Sequence, residues 1–261
     1  MYLLATFIFA WSTWKHEQTG ILLFALLIGA LTALRNRNWN WAGVWLALLL
    51  IKPNITLIPV VAIAVWLIRR GNWRPVAIMC VLTISLLVVS TMTIPNWYQP
   101  FVRPDFGDGL VNVLDGPQIV AIRINTTLSD WLKMLQIDDG IGSAIYASAI
   151  AISALILAAV VWRSESLVQV TIASLLVGFA ITPYALQYDY PPLTLVLFWA
   201  TALYPRSMWT ITGRAAITFF IASVLFWERP ISDGYWIVIG LIGLVIWSWW
   251  TGNKKVPPDL L

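Results

Sequence analysis

Lys52 is an ammonium group set inside a hydrophobic hairpin. The apolar run 41–51 precedes it, Pro53 and Asn54 follow it, and a second apolar run, 55–68, leads to Arg69 and Arg70. A lysine at bilayer depth costs roughly 2.5–3.5 kcal/mol on insertion scales, so it calls for a cavity and an anionic partner. The adjoining proline breaks the helix and puts Lys52 where two short helices meet. This is chemistry for a negatively charged group, and within a membrane the anion to hand is a lipid phosphate. Two further polar clusters interrupt hydrophobic sequence. One is Lys15-His16-Glu17-Gln18; the other runs from Thr182-Pro183-Tyr184 to Tyr188-Asp189-Tyr190-Pro191. If the apolar segments alternate in direction, all three clusters fall at one side and wall one polar pocket. Plainer readings stay open at this level: a solvated loop at Lys15 and His16, a snorkelling Lys52, a turn residue at Asp189, aromatic-belt tyrosines around it. His16 is the one histidine of the chain, so neither a His-rich metal site nor a Ser-His-Asp triad has support, and no metal is expected.

Helices in a bilayer must position these groups. Hydrophobic residues make up 60% of the chain and charged residues 11%, and mean hydropathy is +0.81. A soluble domain carries about a quarter charged residues. The apolar runs are too long and continuous for a transmembrane barrel. The composition therefore predicts an all-α, polytopic helical membrane protein forming a single membrane domain over 1–261. About nine transmembrane or half-spanning segments can be read: 2–14, 20–35, 41–51 with 55–69, 75–94, 141–162, 167–185, 191–204, 212–228 and 234–251. Several are shorter than the ~20 residues of a perpendicular span, and short, proline-interrupted helices line cavities. Many of the 17 tryptophans sit at segment ends, among them Trp39, Trp41, Trp73 and Trp97.

Alternating segments put Arg35, Arg37, Arg69, Arg70, Arg74, Arg163, Arg206, Arg214, Lys254 and Lys255 on one side. The more basic side is cytoplasmic by the positive-inside rule, which places both termini in the cytoplasm and Lys52 toward the outer half of the bilayer. The net charge of +4 is then a topology signal, and no nucleic-acid partner is expected. The lone Cys80 cannot form an intrachain disulfide. The polar connection 95–140 is an outer loop; in its second half Leu128, Trp131, Leu132 and Leu135 have the spacing of an amphipathic helix lying on the membrane surface.

At its polar clusters the chain resembles glycosyltransferase family 87, polyprenyl-phosphate-mannose-dependent mannosyltransferase-like enzymes of the GT-C fold. A Gly-Gln motif that opens a helix in the family is matched by Glu17-Gln18-Thr19-Gly20, with Glu17 in place of the glycine. A helix with Ala-Gly near its start and Lys-Pro at its end is matched by Ala42-Gly43 through Lys52-Pro53, followed by the Arg-rich turn Arg69-Arg70-Gly71. A Pro-Tyr…Tyr-Asp turn is matched by Pro183-Tyr184 and Tyr188-Asp189. The resemblance covers roughly residues 10–200.

The resemblance implies a multi-pass enzyme of a bacterial inner membrane. It would transfer a hexosyl or mannosyl group from a polyprenyl-phosphate sugar to an extracytoplasmic glycan or glycolipid, with the lipid-linked donor as co-substrate and no cofactor. It implies Lys52 as the phosphate-binding cation. Gln18, Asn54, Tyr184, Tyr188 and Asp189 would be substrate-binding, and Glu17 would stand in as the catalytic base. Family members carry several helices before the Gln motif, so the chain is expected to correspond to a C-terminal portion, with a partner chain supplying the missing N-terminal helices. The rival readings are a transporter or lipid flippase, and a non-catalytic subunit of a split glycosyltransferase.

Overall fold

The computed structural model describes residues 20–94, 135–182 and 191–193, and the positions 128, 132, 195, 196 and 242. The described part holds six α-helices and one 3-10 turn, and no strand. In chain order these are α1 (Gly20–Arg35), α2 (Trp39–Leu49), α3 (Pro53–Arg69), α4 (Arg74–Thr93), α5 (Asp139–Arg163), α6 (Leu167–Ile181) and the 3-10 turn Pro191–Leu193. The expected segments 2–14, 212–228 and most of 191–204 and 234–251 lie outside the described residues.

Local chemistry sets the helix ends. Arg37, at φ 54°, closes α1 in the left-handed region. Asn38 N–H then reaches Ala33 O at 2.8 Å, and Arg37 N–H reaches Leu34 O at 3.1 Å, the paired bonds of a Schellman motif. Gly71, at φ 75°, closes α3 in the same way, with Asn72 N–H on Leu67 O and Gly71 N–H on Ile68 O, both at 2.9 Å. Pro53 and Pro75 sit in the first turns of α3 and α4, where a missing N–H leaves no bond unmade. The Asp138 carboxylate caps α5, accepting from Gly140 N–H at 2.9 Å and Ile141 N–H at 3.3 Å. Ser166 caps α6. That helix stops at Ile181, short of the expected 185, because Thr182 precedes Pro183 and is driven to an extended conformation (φ −61°, ψ 136°).

Helix α1 packs on α2, α2 on α4, α3 on α6, and α6 on α5. Leu23, Leu46, Ile63, Leu67, Ile172 and Phe179 fill the space between them. The α2–α4 crossing is closest at Gly43, where a Cβ would fall 2.7 Å from both Pro75 O and Ile78 Cβ. The α3–α6 crossing joins Gly178 to the stretch of α3 around Pro59. Proline at 59 cannot bond the Ile55 carbonyl, and Gly178 lies over that carbonyl.

Helices α4 and α5 are long and apolar enough to cross a membrane, and they bury almost none of their surface within the protein. Leu155 and Trp162 are each 71% exposed. Apolar faces of this extent are a liability in water and ordinary in acyl chains. The shorter helices α1, α3 and α6 are apolar as well. The protein is thus a helical membrane protein.

In the connection 95–140, Leu128 and Leu132 are helical and buried against the protein. Gln136 has φ 53°, and Ile137 N–H returns to Leu132 O at 3.3 Å. Leu135 therefore lies in a turn, 53% exposed, and is not part of the apolar stripe its spacing predicts. Trp131 lies outside the described residues.

Candidate functional site

The helix break at Lys52 is built by hydrogen bonds at both of its ends. Leaving α2, Leu50 N–H turns back to Ala47 O at 3.1 Å, Ile51 N–H to Leu48 O at 3.2 Å and Lys52 N–H to Leu49 O at 3.5 Å, a tightened last turn. Lys52 is then the N-cap residue of α3, Pro53 opens the helix, and the Ile55 and Thr56 N–H groups both reach Lys52 O at 3.3 Å. The buried Thr56 hydroxyl lies within hydrogen-bond distance of two carbonyls, Lys52 O at 2.9 Å and Leu49 O. It thereby ties the end of α2 to the start of α3. Lys52 and Asn54 are both half-buried. The ammonium stem thus rises from the N-terminus of α3, and the partial positive charge of a helix start adds to its own.

The end of α6 arrives at the same place. Thr182 Oγ1 donates to Asn54 O at 2.9 Å, and Thr182 is 2% exposed. Tyr146, in the second turn of α5, donates its phenolic proton to Ile181 O at 2.6 Å, satisfying a carbonyl at the end of α6. The start of α3, the end of α6 and the start of α5 therefore converge. The 3-10 turn Pro191–Leu193, wholly buried, packs on α1, the helix that begins two residues after Gln18.

Of the residues the sequence points to, Asn54, two positions after Lys52, is thus joined to Thr182, the first residue of the third polar cluster. Glu17, Gln18, Tyr184, Tyr188 and Asp189 lie outside the described residues. Thr56, Tyr146 and Thr182 carry the connections; the sequence reading has Thr182 only as the start of the third polar cluster and gives Thr56 and Tyr146 no role. Their signal is faint but present: each is a hydroxyl in apolar sequence, within a turn or two of a helix end. Among the described residues no group of three or more His, Cys, Asp or Glu side chains comes together.

The opposite end of the bundle gathers the arginines. Trp66 Nε1 and Arg69 Nη2 both donate to Ser164 O, at 3.1 Å and 2.6 Å, which fastens the end of α3 to the α5–α6 turn. Arg70 lies over the Trp66 ring at 5.4 Å. It is also 3.8 Å from Glu165, a carboxylate 89% exposed, so that ion pair contributes little. Arg74 Nε donates to Asn40 Oδ1 at 3.1 Å, joining the starts of α4 and α2. Arg35, Arg37 and Arg163 close helices at this same end. Lys52 is separated from Arg69 by the 17-residue length of α3, about 25 Å at 1.5 Å per residue.

The family model of glycosyltransferase family 87 matches residues 1–183. The matched stretch takes in Glu17, Gln18, Lys52, Asn54, Tyr146 and Thr182, and it ends at Pro183, before Tyr184, Tyr188 and Asp189. No curated protein and no solved structure matches the chain. A match that runs through all six described helices and across the Lys52 turn makes this chain a member of glycosyltransferase family 87.

Proposed function

We propose that this glycosyltransferase takes a hexose, with mannose as the first choice, from a polyprenyl phosphate. It passes the sugar to a hydroxyl of a glycan or glycolipid on the outer side of a bacterial inner membrane. The observation that carries the proposal is the position of Lys52, a half-buried cation at the start of a helix that a proline sets off from its neighbour. In the transfer, an acceptor oxygen attacks the anomeric carbon as the bond from that carbon to the phosphate oxygen breaks. The bonding pair stays with the phosphate, whose charge grows through the transition state. A cation and a helix N-terminus fixed at that oxygen stabilise the growing charge without reorganising. Asn54, held to Thr182 through its backbone carbonyl, is proposed to bind donor hydroxyls. Gln18, Tyr184, Tyr188 and Asp189 are proposed for the sugar and the acceptor, and Glu17 for taking the acceptor proton. The arginine-rich end would face the cytoplasm, with Lys52 toward the outer leaflet.

Transfer from polyprenyl-phosphate mannose, measured in membranes carrying Lys52→Ala or Lys52→Arg, tests this. Loss of one preorganised charge partner at a transition state is worth about 2.7–4 kcal/mol, so Lys52→Ala is expected to slow transfer about 100-fold or more. Lys52→Arg should keep part of the rate. Unchanged rates in both variants remove Lys52 from the site.

A further inference from the structure

At the arginine-rich end, the facing surfaces of α1 and α2 leave a groove of about 400 Å3. Gly29 and Thr32 line it from α1, Asn36 and Asn38 from the turn between the helices, and Trp41 and Trp45 from α2. Gly29 and Thr32 are three residues apart and Trp41 and Trp45 four, so each pair shares one face of its helix. The groove runs about 10 Å inward from the turn, seven residues at 1.5 Å each. Its character changes along that length. The two amides, Asn36 and Asn38, stand at the mouth; Thr32 lies one turn in; Gly29 and the Trp45 ring form the inner part. A Cβ on Gly29 would meet Trp45 Cδ2 at 3.2 Å, so the indole lies against bare backbone and its plane makes a flat apolar wall. Trp41 stacks on Trp45 with centroids 5.9 Å apart and is itself 54% exposed.

Arg35 and Arg37 flank Asn36 and are exposed. Among the described residues the one carboxylate at this end is Glu165, which faces Arg70. A ligand that fits must therefore be anionic at one end and apolar at the other, with the two ends about 10 Å apart. Free phosphate lacks the apolar part. A zwitterionic headgroup brings a cation against two arginines. We infer that this groove binds an anionic phospholipid of the leaflet at the arginine-rich end, its phosphate at Arg35, Arg37 and the two amides, and one acyl chain along Trp41, Trp45 and Gly29. The inference rests on the membrane character of the fold and stands whether or not Lys52 takes part in transfer. The groove and Lys52 are at opposite ends of the bundle.

The experiment titrates the purified full chain in dodecyl maltoside with dioleoylphosphatidylglycerol or with dioleoylphosphatidylcholine, and counts bound lipid by native mass spectrometry. Glycerol 1-phosphate serves as the free-phosphate competitor. A basic side chain near an anionic lipid surface is worth about fivefold in affinity, so Arg35→Gln with Arg37→Gln should weaken phosphatidylglycerol binding by about tenfold or more. Trp41→Leu, which removes no charge, should weaken it about threefold by loss of the aromatic wall. Arg70→Gln with Arg163→Gln removes the same charge from the same end outside the groove and should change binding less than about threefold. Equal losses in the two double variants would reduce the effect to general electrostatics and overturn the site. So would equal affinity for the two lipids, competition by glycerol 1-phosphate, or wild-type binding by Trp41→Leu.

Discussion

Thr182→Val removes one hydroxyl and keeps the shape of the side chain, so it tests whether the end of α6 must be held to the start of α3. The bond lost is Thr182 Oγ1 to Asn54 O, 2.9 Å long, at a residue 2% exposed. The carbonyl left behind lies in the first turn of α3, where it also accepts the helical N–H four residues on. It is therefore not orphaned, and the loss sits in the ordinary range for a buried bond, about 1 kcal/mol. At 1.4 kcal/mol per factor of ten, that is about a fivefold fall in the ratio of joined to separated helix ends. If transfer requires the joined arrangement, kcat/KM for polyprenyl-phosphate mannose should fall by up to about fivefold, and Thr182→Ser should restore it. The control is Thr171→Val at the other end of the same helix. Thr171 is fully buried and donates to Leu167 O at the same 2.9 Å. Its loss should lower thermal stability by a similar amount and leave transfer unchanged. The reasoning fails if Thr182→Val and Thr171→Val affect transfer equally, or if Thr182→Val does not affect it.

The two helix crossings respond differently to an added methyl group. At Gly43, a Cβ 2.7 Å from Pro75 O meets backbone, so Gly43→Ala should destabilise by about 1–3 kcal/mol, read as a lower unfolding temperature in detergent. At Gly178 the nearest atoms are 3.6 Å away, ordinary contact distance, so Gly178→Ala should be neutral or up to about 1 kcal/mol stabilising through helix propensity. Asp138→Ala removes the cap of α5 and should cost about 1 kcal/mol; slower hydrogen exchange at Gly140 and Ile141 in the variant than in the wild type would contradict it.

How far the sequence carried follows from what each signal encodes. Hydrophobic runs and prolines are local, and the bounds of α1, α3 and α4 follow the expected segments to within two residues. The Lys52 break was legible because a lysine followed by proline has no place inside a continuous span. The end of α6 was misjudged because apolar sequence continues to Leu186, whereas the restriction that Pro183 places on Thr182 ends the helix first. Ala42-Gly43, noted as a motif, is the point where α2 meets α4: Ala42 is fully buried and Gly43 has no room for a side chain. The bonds from Thr56, Tyr146 and Thr182 were not legible. Tyr146 and Thr182 reach across 35 and 128 positions of chain, and a pairing of that kind leaves no local pattern.

Those three bonds also explain why short helices converge on this place. The hydrocarbon of a bilayer is about 30 Å thick, and a helix of about 20 residues delivers both ends to the headgroups, where water satisfies its terminal N–H and C=O groups. Helix α4, with 20 residues, meets that length. Helices α2, α3 and α6, with 11, 17 and 15, do not. At 1.5 Å per residue they reach only about 16, 25 and 22 Å, so an end falls below the headgroups and its backbone needs partners from the protein. Thr56 serves the end of α2, and Tyr146 the end of α6. Thr182 then ties α6 to the start of α3. Among the described residues, carbonyls at this junction are bonded by hydroxyls, and the α3 N-terminus adds a partial positive charge beside Lys52. Under the proposed function, the partial positive charge of that helix start is what would favour a phosphate-bearing donor over a neutral one at the Lys52 turn.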